Sequence, residues 1–303
     1  MNYMDVAENE HLLIIVLRMM LISQMSEDEV EVDLSIGINT FDLADIYGDG
    51  QCEQLLGKVL KRRPDLRDQM WIQSKCGIRK DGFTYFDFSK DYILDSVDGI
   101  LERLQIERLD SLLLHRPDAL MEPEEVAAAF DHLEQAGKVR HFGVSNQNPM
   151  MMELLKTAVK QPLKVNQLQL SAAFTPSFEA GFHVNMEGPK AAVRDGSVFE
   201  YCRLTDTVIQ AWSVLQHGYF KGNFVGKEEF AALNHVLTDL AKKYQVTPTA
   251  IALAWVLRYP GKMQAVIGTT KPQHVLEAGK AATVTLTRKE WYQIYLAAGN
   301  DLP

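Results

Sequence analysis

Short apolar runs recur along this chain, and between one run and the next lies a segment with helical periodicity. The runs are LLIIVL from Leu12, INTFDLAD from Ile38, MWIQSKC from Met70, LDSLLLH from Leu109, VRHFGVS from Val139, KVNQLQLS from Lys164, DTVIQAWS from Asp206 and MQAVIGTT from Met263. Helices are expected over 26–36, opened by a capping box from Ser26 to Glu29, and over 51–62, 90–104, 123–136, with Gly137 as its C-cap, and 149–159. Four more are expected over 197–204, 228–244, 248–259 and 272–281. Strict alternation of strand and helix dictates parallel strands joined by crossover helices, and runs apolar on both faces suit a sheet covered on both sides.

Eight such units predict an α/β chain folded as one (β/α)8 TIM barrel over residues 1–303. The competing open, doubly wound sheet, if it held a dinucleotide, would need a Gly-rich turn after an early strand. The GDG at 48–50 lacks the third glycine of that turn, and Glu53 stands in its place. Long loops at the C-terminal face are also expected, since roughly 35 residues follow Leu170 and about 50 follow Trp212, well beyond the usual few. Loops of that size at the carboxyl ends of barrel strands are where pockets are built, and His217 and Tyr219 lie in the second of them.

Composition then removes several functions. With 40 acidic against 31 basic residues the net charge is -9, which offers no field for a phosphate backbone, so no nucleic-acid partner is expected. Cys52, Cys76 and Cys202 are too few and too scattered for a disulfide framework or a structural zinc site, which points to a reduced, cytoplasmic protein. The apolar stretch from Leu12 to Ser23 is shorter than a membrane span, holds Arg18, and follows Asp5, Glu8 and Glu10 rather than cations. No membrane partner is expected, and no spacing of His, Cys, Asp or Glu suggests a metal.

In a barrel the carboxyl ends of the strands share one mouth, so residues far apart in sequence form a single list. That list holds Asp42 with Tyr47 just beyond it, then Lys75, His115, Ser145, Asn146, Gln167, Trp212 and Ser213. A lysine inside an apolar strand needs a counter-charge, and Asp42 at the neighbouring strand end supplies one. A cation beside a phenol favours release of its proton, and an imidazole can orient a carbonyl oxygen by hydrogen bonding, so the set reads as a proton donor at Tyr47. A Schiff-base lyase built on Lys75 is disfavoured because Asp42 keeps the amine protonated. Cys76 should point away from the mouth if Lys75 points in. His141 reads as structural, and Met150, Met151 and Met152 read as core packing.

These residues lie in FDLADIYG (41–48), IQSKCG (72–77), LLLHRPD (112–118), GKVRHFGVSN (137–146), VNQLQLS (165–171) and IQAWS (209–213). In that order and spacing, from Gly37 onward, the chain resembles the aldo-keto reductases. The resemblance implies an NADP(H)-dependent oxidoreductase on a TIM barrel, acting on aldehyde, ketone or alcohol groups, with Asp42, Tyr47, Lys75 and His115 as catalytic tetrad. It implies that Ser145, Asn146 and Gln167 hold the nicotinamide carboxamide and that Trp212 stacks on the ring. It places Ser213, Leu215, Gly268, Thr269, His274 and Glu277 along the pyrophosphate and adenosine end. NADP(H) is favoured over NAD(H), with a small carbonyl substrate and a monomer or weak homo-oligomer.

Two stretches depart from the family. The first strand lacks the usual Gly and Trp near the cofactor ribose, and the helix after Ser26 is short, so the first βα unit is atypical. Even so, 12–17 is expected as the first barrel strand, with apolar surface left exposed or covered by a partner chain beside the short helix. After the last strand, Gly268 and His274 stand where many NADP-preferring members carry Lys and Arg, and Lys271 is the compensating cation. These departures keep open an alternative on the same barrel, a catalytically weak nicotinamide-binding regulatory subunit.

Overall fold

The computed structural model describes residues 3–7, 10–34, 38–81, 83–182, 197–218 and 221–300; the expectations for Ile36, Gly37 and Tyr219 fall outside them. The chain opens with β1 (Tyr3–Ala7), β2 (Glu10–Leu13), β3 (Ile15–Arg18), α1 (Glu27–Leu34), β4 (Thr40–Asp42) and α2 (Gln51–Arg62). It continues through β5 (Trp71–Cys76), β6 (Ile78–Asp81), β7 (Phe83–Phe86), α3 (Lys90–Leu104), β8 (Leu109–Leu114) and α4 (Pro123–Gln135). Next come β9 (Val139–Ser145), α5 (Pro149–Lys156), β10 (Leu163–Gln169), α6 (Pro176–Phe182), α7 (Val198–Leu204) and β11 (Val208–Trp212). The last elements are α8 (Ala231–Tyr244), α9 (Pro248–Leu257), β12 (Met263–Ile267), α10 (Pro272–Gly279) and α11 (Arg288–Ala297).

Strands β3, β4, β5, β8, β9, β10, β11 and β12 close into a barrel in that order, and each neighbouring pair is parallel. The expected (β/α)8 architecture is therefore the observed one. The helices start where local chemistry says they should. Proline occupies the first turn of α4, α5, α9 and α10, where its missing N–H costs nothing. Asn148, Thr247 and Thr287 accept N-cap bonds from Met151, Ala250 and Glu290, and Ser26 and Glu29 form the expected box at α1.

One expectation needs correcting. The run LLIIVL is not a single barrel strand: Leu12 and Leu13 end β2, which pairs antiparallel with β1, and only Ile15–Arg18 closes the barrel between β12 and β4. Six apolar residues in a row say that a segment is buried but not which partner each half takes. The hairpin puts Leu12 and Met4 against Trp71, Leu113, Val165 and Val208, at the end of the barrel where β5 and β11 begin. A second hairpin, β6 with β7, leaves β5 at the opposite end. Gly77 makes that exit at φ +112°, and a side chain there would stand 2.0 Å from the Phe88 ring, so only glycine fits.

Candidate active site

The carboxyl ends of β3, β4, β5 and β8 bring one set of side chains together. Lys75 and Asp42 are both fully buried, and the Lys75 Nζ lies 2.7 Å from the Asp42 carboxylate. The same ammonium donates to the Leu43 carbonyl at 2.6 Å and to the Tyr47 hydroxyl at 3.2 Å, so its three hydrogens are all committed. Tyr47 Oη accepts a second bond from Arg18 Nε at 3.1 Å, and the Arg18 guanidinium lies 5.0 Å above its ring. The phenol oxygen thus faces two cations, and its own proton is left for a ligand. Tyr47 is held there by a tight turn, in which its N–H donates to the Ala44 carbonyl at 3.0 Å.

His115 follows β8 and donates its backbone N–H to the Cys76 carbonyl at 2.9 Å, which ties it beside Lys75. Its ring stands edge-on to Tyr47 with centroids 6.0 Å apart, and its buried Nδ1 has no protein partner among the described residues. Burial, followed by the charges of Lys75, Arg116 and Arg18, pushes the imidazole well below its ordinary range, so it is neutral at physiological pH. A neutral imidazole carries one N–H donor, which suits hydrogen bonding to a carbonyl oxygen better than proton delivery. The four residues expected to act together do meet.

Behind them lies a second polar layer. Asp45 accepts from Ser96 Oγ at 2.9 Å and Tyr92 Oη at 3.2 Å, while its other oxygen is buried without a partner among the described residues. Burial raises its pKa to about 6. Glu53, fully buried, accepts from Ser74 at 2.8 Å and Arg103 at 2.8 Å. Cys76 sits on this outer side against Ser96, as the alternation along β5 requires, and burial pushes its thiol well up and out of reactive range. His141 stacks on Trp71 at 5.2 Å and is part of the packing.

Across the mouth, the ends of β9, β10 and β11 make a continuous strip. The Ser145 hydroxyl donates to the Gln167 backbone carbonyl at 3.0 Å, Asn146 Nδ2 donates to Ser145 Oγ at 2.9 Å, and Trp212 Nε1 donates to Asn146 Oδ1 at 3.3 Å. Asn146 and Ser213 take positive φ, 57° and 52°, which turns the chain sharply at each strand end. Arg116 lies 5.7 Å over the Trp212 ring, and Asp118 accepts from the Phe88 and Leu120 amides. The remaining expected positions gather after β11 and β12. Leu215 packs against the core, and Gly268 faces open space. Thr269 meets the His274 Nδ1 at 3.3 Å, and Glu277, one turn further along α10, accepts from Gln273 at 3.1 Å.

Sequence reasoning missed Arg18, Gln73, Gln210 and Gln264. Gln73 Nε2 donates to Asp42 Oδ1 at 2.7 Å and to Gln210 Oε1 at 2.6 Å, and Gln210 in turn reaches Gln264. A signal was present: Gln73 precedes Lys75 by two and Gln210 precedes Trp212 by two, which places each on the inward face of a strand otherwise apolar.

A sequence model described as the aldo/keto reductase family matches residues 24–297. The chain is 36% identical to oxidoreductase YdhF of Escherichia coli over 281 residues, 90% of this chain and 88% of that one. It is 35% identical to a 6-dehydroglucose reductase of Agrobacterium fabrum over 283 residues, again 90% of this chain and 88% of that one. Among solved structures, an aldo/keto reductase from Klebsiella pneumoniae in complex with NADP and acetate superposes with TM-score 0.73 at 22% identity, covering 94% of this chain and 90% of its own.

Proposed function

Because this chain belongs to the aldo/keto reductase family, we propose that it reduces small aldehydes or ketones with NADPH, Tyr47 being the proton donor. The observation that carries the reading is the Tyr47 hydroxyl, placed 3.2 Å from Lys75 and 3.1 Å from Arg18 with its proton uncommitted. The strip opposite fits a nicotinamide ring. Gln167 spends both amide hydrogens within the protein and keeps its carbonyl oxygen to accept from a carboxamide, and Trp212 offers an indole plane. Ser145 and Asn146 would complete the carboxamide contacts, and Ser213, Leu215, Gly268, Thr269, His274 and Glu277 would line the rest of the cofactor. Lys271, exposed, supplies positive charge for a 2'-phosphate and favours NADP(H) over NAD(H). The bound cofactor would supply the hydride.

The protein's own residues do the rest. His115, neutral, donates to the carbonyl oxygen and fixes its direction. Tyr47 gives its proton to that oxygen as negative charge develops on it. Lys75 and Arg18 stabilise the phenolate left behind, and Asp42 balances the Lys75 charge so that the buried ammonium is tolerated. Reprotonation of Tyr47 from solvent closes the cycle.

The test is NADPH consumption over a panel of aldehydes and ketones, with Tyr47→Phe beside wild type. The variant should lose about 100-fold to 10,000-fold in turnover, the usual contribution of a general acid, and keep its cofactor affinity. A Tyr47→Phe protein that retains most of the activity would assign proton donation elsewhere. Tight NADPH binding with no turnover of any carbonyl by wild type would favour the regulatory-subunit reading instead.

A further inference from the structure

Gln73 of β5, Gln167 of β10, Gln210 of β11 and Gln264 of β12 are each 3% exposed or less. Strands β5 and β11 are not neighbours, nor are β4 and β10, so the bonds from Gln73 to Gln210 and from Gln167 to Asp42 cross the barrel interior. Asp42, ion-paired with Lys75, is an acceptor only, and any amide that meets it must present N–H. Gln73 does so at 2.7 Å and Gln167 at 3.1 Å, both to Oδ1. Each has one further amide hydrogen, and both give it to Gln210 Oε1, at 2.6 and 3.0 Å. Gln210 must therefore turn its own amino group the other way, and it donates to Gln264 Oε1 at 2.9 Å. The Gln73 carbonyl takes the Ser111 hydroxyl at 3.2 Å, which in turn accepts from Trp71 Nε1 at 3.1 Å. One charge thus fixes the orientation of each amide in the network.

The consequence falls on Gln167. Its two hydrogens are held inside, and turning the amide over would set its carbonyl oxygen against the Asp42 carboxylate and the Gln210 carbonyl, two buried repulsions. We propose that Gln73, Gln210 and Gln264 are positioning residues which, ordered by the Asp42 charge, hold Gln167 with its carbonyl oxygen toward the ligand, so that the site selects a cofactor ring substituent bearing N–H. The proposal rests on the reductase reading and adds to it a second task for Asp42, which links the proton-donor side of the mouth to the cofactor side.

Replacing Asp42 by Asn removes the charge that orders the network. The Lys75 ammonium lies 2.7 Å from both Asp42 oxygens, so an Asn amino group on either side meets a donor, and the amides lose their common acceptor. Gln167 is then no longer held with its carbonyl oxygen toward the ligand. The full-length protein and its Asp42→Asn, Gln210→Met and Gln167→Met variants are titrated calorimetrically with NADP+ and with its 3-acetylpyridine analogue, which lacks the carboxamide N–H. Wild type should bind NADP+ roughly tenfold tighter than the analogue, the worth of one hydrogen bond. The ratio should fall to about one in Asp42→Asn and Gln167→Met and to an intermediate value in Gln210→Met, whereas a merely structural defect would lower both affinities together and leave the ratio alone.

A wild-type ratio near one would overturn the proposal. So would a ratio that stays at the wild-type value in Asp42→Asn and Gln210→Met while collapsing in Gln167→Met. Should Asp42→Asn fail to fold, Gln210→Met alone decides. Failure of wild type to bind either compound would instead bring down the reductase reading, and the proposal with it.

Discussion

At the scale of single residues, the site separates a dry ion pair from a poised acid by one turn of chain. Asp45 sits two residues before Tyr47, buried between β4 and α3, and its pKa of about 6 lies above the ordinary 3.8. Because burial disfavours the charged form, the folded protein holds this proton more tightly than the unfolded chain does. The stability it contributes is complete below pH 4 and is lost as the pH rises through 6, a change of roughly 3 kcal/mol. Asp45→Asn should remove that slope. Urea unfolding at intervals from pH 4 to 7 should show the variant gaining on wild type as the pH rises; equal slopes for the two proteins would trace the dependence to other groups. Tyr47, Lys75, Asp42 and His115 were legible in the sequence because charges and rings at strand ends need partners, and the barrel supplies a common mouth. Arg18 was not, since an arginine inside an apolar stretch reads equally well as a break in a span.

At the scale of elements, the first βα unit is where the barrel is most thinly held. Strand β3 pairs with β4 through two residues and with β12 through three, whereas β5 and β8 share four. The short α1 covers Val30 completely yet leaves Leu21 43% exposed just before it. Backbone amides of Ile15–Arg18 should therefore exchange with solvent at least about tenfold faster than those of β5 and β8, since fewer bonds must break to open them. Hydrogen exchange read by NMR or mass spectrometry checks this, and equal protection across the three strands would mean that this edge is closed by packing not evident in its ladder. The predicted limits of α2 and α3 are the observed ones, because apolar periodicity sets them locally. The two hairpins were not legible, since pairing partners are chosen in space. Nor was α11 anticipated, although its capping box, Thr287 to Glu290, is written in the sequence; the count of eight units was already complete without it.

At the scale of the whole molecule, the two halves of the mouth come from two arcs of one barrel. The proton-donor group hangs from β3, β4, β5 and β8, and the proposed cofactor strip from β9, β10, β11 and β12. A cofactor lying across the mouth would bind the native arrangement alone, because no part of either arc assembles in the unfolded chain. Binding to the native state only stabilises it by about 2.7 kcal/mol at a ligand concentration of 100 times Kd. At roughly 2 °C or more per kcal/mol for a domain of this size, NADPH at that excess should raise the melting temperature by about 5 °C. NADH at the same concentration should raise it less, since the charge of Lys271 finds no 2'-phosphate to meet. Tyr47→Phe should show the wild-type shift, because in the proposed mechanism the phenol takes part in proton transfer and not in holding the ring. Differential scanning fluorimetry of both proteins with both cofactors resolves these outcomes. A larger shift with NADH would reverse the cofactor preference, and a shift lost in Tyr47→Phe would mean that the hydroxyl itself anchors the cofactor.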